Sequence, residues 1–112
     1  MLKYKSQWRE EPMDAVIVED AYADNGRLYL GLWCKEDDYF EPWTDITVNL
    51  FGPISDKNCA FVDTNNCPDI VRFLEENELA TPTGNSRQSG WCYYPEYRFD
   101  MDKVRKHLAE EL

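Results

Sequence analysis

The feature that most constrains this chain is a strict two-residue alternation in its first half, replaced beyond Pro68 by a helical period. In "RLYLGLWC" Leu28, Leu30, Leu32 and Cys34 fall on one side, with Arg27, Tyr29, Gly31 and Trp33 on the other. In "DITVNLF" Ile46, Val48 and Leu50 alternate with Asp45, Thr47 and Asn49. Side chains of an extended chain point alternately to its two faces, so both stretches predict strands with one covered face. Upstream, "DAVIVEDAY" is β-branched and is followed by "DNG". The Asn25-Gly26 pair accepts the positive φ angles of a tight turn and so predicts a hairpin of 14–23 with 27–35. "LKYKSQW" adds an edge strand whose lysines discourage further pairing.

The second half reads differently. "CAFVD" is a short buried strand, and "PDIVRFLEENEL" sets Ile70, Phe73, Leu74 and Asn77 on one helical face, with Arg72, Glu75 and Glu76 outside. "ATPTGNSRQSG" is rich in turn formers and reads as a loop. "WCYYPEYRF" is extended, and Pro95, which cannot donate to a ladder, belongs on an edge or at a bulge. "DMDKVRKHLAEEL" predicts a closing helix with Met101, Val104, Leu108 and Leu112 on one face. With no repeat and no linker, residues 1–112 are expected to form a single domain of α+β class. Its antiparallel sheet of four to six strands begins as a meander, and two C-terminal helices pack on one face.

The chain has 12 basic and 22 acidic residues, a formal charge of −10. The excess sits in residues 1–56, with 5 Lys/Arg against 12 Asp/Glu; residues 57–112 hold 7 against 10. A field of that sign repels phosphate backbones and anionic lipids, so neither direct nucleic-acid binding nor a membrane role is expected. The first residues have no apolar run behind them, and no stretch approaches the roughly 20 apolar residues of a membrane span. The expected setting is cytoplasmic, where four cysteines are small apolar fillers rather than disulfides.

The gaps between Cys34, Cys59, Cys67 and Cys92 are 24, 7 and 24 residues, with no C-x-x-C pair, so no metal and no cofactor is expected. Cys67 lies in "DTNNCPD". With Asn66 as helix cap, Pro68 at the first position and Asp69 complementing the dipole, capping accounts for the polar residues and the thiol packs. The same place lowers a thiol pKa, which keeps a reactive Cys67 in view, although the only histidine, His107, falls off the apolar stripe of its helix. The loop 81–90 offers the residue types of an anion nest, with Arg87 its one cation and Ser89 a hydroxyl donor. Asp63, Asn65, Asn66, Cys67, Arg87 and Ser89 are therefore the candidate site, without an assigned catalytic residue. The acidic loop "KEDDYFEPW" places Tyr39, Phe40 and Trp43 among carboxylates, a candidate protein-contact surface.

"VDTNNCP" at 62–68, "PTG" at 82–84, "QSG" at 88–90 and "YP-x-Y-x-F" at 94–99 resemble a small bacterial family, the domain of unknown function 4313. The resemblance implies a setting on mobile elements of Gram-positive bacteria and no chemistry. The functional expectation is a non-catalytic accessory protein that binds another protein, of undetermined oligomeric state. Two alternatives stand beside it: a small thiol-dependent or anion-binding enzyme using Cys67 and the 81–90 loop, and an acidic DNA-mimic inhibitor.

Overall fold

The computed structural model describes residues 2–109. Eight strands form two four-stranded antiparallel sheets, and two short helices follow in the C-terminal half, so the α+β class holds while the predicted single sheet is divided in two. The first sheet is a meander of β1 (Leu2–Tyr4), β2 (Met13–Ala21), β3 (Leu28–Glu36) and β4 (Tyr39–Asp45). The second runs β5 (Thr47–Val48), β6 (Cys59–Val62), β8 (Cys92–Phe99), β7 (Ala80–Ser89) in spatial order.

The alternation acts as expected in β3, where Leu30, Leu32 and Cys34 are buried and Leu28 packs on the same core. β2 pairs with it, Ala15 opposite Cys34 and Ala21 opposite Leu28. The joining loop is longer than a two-residue turn. Tyr22 and Arg27 close it through Tyr22 N to Arg27 O at 2.9 Å, and of the Asn25-Gly26 pair only Gly26 takes a positive φ, +71°. Asn25 instead uses its side chain, accepting from Arg27 N and donating to Asn49 Oδ1.

"DITVNLF" is not one strand. Ile46 is the corner between the sheets: its N–H donates to Leu30 O at 2.8 Å, and its carbonyl accepts from Asp63 N at 2.9 Å. Thr47, expected outward, is buried because its Oγ1 accepts from Leu30 N and bonds the Tyr22 hydroxyl. A buried hydroxyl is tolerated when it is satisfied in this way.

Two stretches read as loops are strands. Residues 39–45 form β4 after a turn at Asp37-Asp38, with Asp37 at φ +54°. The stretch "ATPTGNSRQS" forms β7, bulged between Pro82 and Ser86. Turn-forming residues were present because that strand is an edge with an irregularity, which tolerates Pro and Gly. Pro95 lies opposite this bulge, at Ser86, and beyond the last β6 partner.

Helix α1 (Ile70–Glu76) buries Ile70, Phe73 and Leu74 and leaves Arg72, Glu75 and Glu76 outside. Helix α2 (Met101–Val104) continues as a 3-10 turn over Arg105–His107, so the closing helix is shorter than predicted. Leu108 leaves helical geometry to bridge Ile17, and Leu112 lies outside the described residues. Met101 and Val104 join the α1 residues and both sheets in one core, to which each full burial of such a side chain adds about 1.5–3 kcal/mol. No helix among the described residues is long and apolar enough to cross a membrane.

Candidate functional site

Cys67 is 5% exposed and held in a buried polar triangle. The Tyr4 hydroxyl lies 3.1 Å from Cys67 Sγ and donates to Asp69 Oδ1, which also accepts from Sγ at 3.2 Å. Gln7 N donates to the other Asp69 oxygen at 3.1 Å. Burial pushes the thiol up to about 11; the Tyr4 bond opposes this, and Asp69 and Asp63 reinforce it. Burial likewise raises Cys34, to about 12. Burial thus favours the neutral thiol over the thiolate that a nucleophile needs. His107 is not among the hydrogen-bond partners of Cys67.

The cap differs from expectation. Asp69, not Asn66, precedes α1, and its side chain makes no capping bond because Tyr4, Cys67 and Gln7 occupy it. Asn66 serves the turn before the helix: its N–H and Nδ2 both donate to the buried Asp63 carboxylate, at 3.2 and 2.8 Å. Cys67 N donates to Asp63 O, so Asp63, Asn66 and Cys67 are brought together as a turn, while Asn65 is exposed.

Arg87 and Ser89 stand apart from that turn, on β7. Arg87 lies over the Phe61 ring at 4.7 Å and donates to the Phe51 carbonyl and, at 2.8 Å, to the Pro53 carbonyl. From the β2–β3 loop Arg27 donates to Leu50 O at 3.0 Å and to Gly52 O. Two guanidiniums thus clamp the backbone of 50–53. Ser89 is exposed beside the hairpin turn.

The same loop is held at its other end by Glu96, which composition alone does not single out. The residue is 2% exposed, and its carboxylate accepts from Ser55 N (2.8 Å), Ser55 Oγ (2.6 Å), Thr83 Oγ1 (2.7 Å) and Asn85 Nδ2 (3.2 Å). Burial acts to raise its pKa, but these donors overcome it and bring the group down to about 2. The β7 bulge exists at this point: residues 83–85 arch over Glu96, with Gly84 at φ +93°.

The remaining candidates lie at one end of the first sheet. Pairing of Tyr4 with Met13, Ala15 with Cys34 and Glu36 with Tyr39 puts the 5–12 loop beside the 37–38 turn. Arg9 ties them, bonding Glu36 at 2.8 Å and lying 6.0 Å from the Trp43 ring. Trp43 is the extra residue of a β4 bulge, which turns it onto Tyr4 at 6.0 Å; Phe40 is half-buried. Tyr39 is 74% exposed, and Trp8, which sequence reading passed over, is 81% exposed. The 5–12 loop and the residues flanking the 37–38 turn carry Glu10, Glu11, Glu36, Asp37, Asp38 and Glu41 against Lys5, Arg9 and Lys35. Lys5 is turned back on the carbonyls of Ser6 and Arg9, and Arg9 is paired. Two open aromatic faces amid surplus carboxylate can take a cation by charge and by the ring quadrupole.

A protein-family model described as Domain of unknown function (DUF4313) matches residues 17–112. No curated protein and no solved structure matches the chain.

Proposed function

The chain belongs to the DUF4313 family of domains of unknown function, and on that premise we propose that it is a non-catalytic interaction domain which takes a Lys/Arg-rich segment of another protein. The accessory, mobile-element and cytoplasmic setting is part of the same proposal. One observation carries it: Trp8 and Tyr39, open to solvent, share the acidic end of the first sheet. Aromatic anchors within a charged rim are the usual anatomy of a contact surface. The thiol reading is weakened by a Cys67 hydrogen-bonded on both sides and raised to about 11. The anion reading is weakened because Arg87 already serves two carbonyls.

Titration of a fluorescent lysine- and arginine-rich peptide, with an acidic peptide of equal length as control, tests this. Binding of the basic peptide only is expected, with Trp8→Ala and Tyr39→Ala each weakening it about three- to tenfold. Binding that ignores peptide charge, or that neither substitution alters, would sink the proposal.

A further inference from the structure

The outer sides of the two sheets are unequal. β1 has three residues with Lys3 outward, β5 has two, and β4 is interrupted by Pro42 and the Trp43 bulge. β7 has ten, and among the described residues no strand lies on its outer side. Pro82 and the arch over Glu96 disrupt its first half, leaving a regular run from Ser86 to Ser89. This run leads into a two-residue turn, Gly90-Trp91, with Gly90 at φ +61°. The pair flanking such a turn, Ser89 and Cys92, exchanges both its hydrogen bonds, so by alternation Ser86 and Gln88 direct theirs away from β8.

Charge isolates the same surface. Residues 79–95 contain no Asp or Glu in a chain of 22 acids, and their one cation, Arg87, is occupied by the 51–53 carbonyls. Two copies of a molecule with charge −10 repel wherever carboxylates meet; this stretch is where they can approach. At its tip Trp91 is 98% exposed, and Tyr93 is exposed as well.

We propose that a second copy of this chain pairs its β7 antiparallel with this one, joining the two second sheets into one of eight strands. Gln88 lies on the two-fold axis, opposite the partner's Gln88. Centring on Arg87 would instead set two guanidiniums face to face, which cross-strand pairing disfavours. With Gln88 central, Arg87 meets the partner's Ser89, and Trp91 reaches over the partner's Asn85. The contact is isologous and closes on itself, so it yields a dimer and not a filament. It does not depend on the basic-segment reading, which uses the other sheet.

Sedimentation velocity over a concentration series, paired with amide hydrogen exchange, tests it. A concentration-dependent dimer is expected, with exchange at Ser86 and Gln88 slowing as the dimer forms. Trp91→Asp, at a side chain that leaves the fold untouched, and Gln88→Pro, which removes an outward donor, should each weaken association at least tenfold with the thermal melt of Trp91→Asp unchanged. A chain that stays monomeric up to about 1 mM overturns the proposal. So does a dimer indifferent to Trp91→Asp, or one whose protected amides lie outside 85–89.

Discussion

At the scale of single residues, Glu96 shows how a charge can be buried without a cation. Four donors from three residues on two segments replace its water, and charge-assisted bonds of this kind exceed neutral ones. Because its folded pKa is depressed to about 2, the group contributes stability that is complete above the ordinary glutamate value, about 4.3. That contribution is lost as pH falls from there toward 2. Glu96→Gln therefore should cost about 2–3 kcal/mol at pH 7 and flatten the acid limb of a stability profile between pH 4.5 and 2, read by urea unfolding at successive pH values. An acid limb equally steep in the variant would place the effect elsewhere. Nothing in "YPEYRF" distinguishes this glutamate from 21 other acids, since its donors come from residues 55, 83 and 85. Cys67 was more legible: burial of its thiol followed from the company it keeps in sequence. Asp69, two residues on, was legible as a neighbour that raises the thiol's pKa, but Tyr4, 63 residues away, was not.

At the scale of elements, the segment 49–56 behaves as a cover over Phe61 and Cys59 on the outer side of the second sheet. It has no ladder of its own and is held by Arg27, Arg87 and Glu96. Its backbone at Gly52 and that of the bulge at Gly84 share a φ above +90°, yet their surroundings differ. A Cβ at Gly84 meets nothing within 4 Å, whereas one at Gly52 would stand 2.7 Å from Arg87 Nη1. Gly84→Ala is expected to cost about 1 kcal/mol, the strain of the left-handed region alone. Gly52→Ala should cost about 2–3 kcal/mol, because it also displaces the guanidinium clamp. Thermal melts of both check this, and equal losses would show that the clamp contributes nothing. Strands β4 and β7 escaped sequence reading for a shared reason. Edge strands exposed on most sides need no apolar alternation, and proline, glycine and bulges are tolerated there.

For the whole molecule, the charge of −10 sets opposite salt responses at its two proposed surfaces. Raising salt from about 50 to 500 mM shrinks the Debye length to a few ångströms, so basic-peptide binding at the first sheet should weaken several-fold while β7 association strengthens. Both are read by repeating the two titrations in one buffer series; parallel responses would contradict the division of charge between the two surfaces. Composition and periodicity were sufficient for the α+β class, for the β2–β3 pairing and for the inward faces of β3, α1 and α2, because burial of apolar stripes is a local property of the chain. The division into two sheets at Ile46, the arch of β7 over Glu96 and the meeting of the 5–12 loop with the 37–38 turn emerged only on folding. Each depends on a polar group being satisfied by partners far away in sequence, and hydropathy holds no record of such partners.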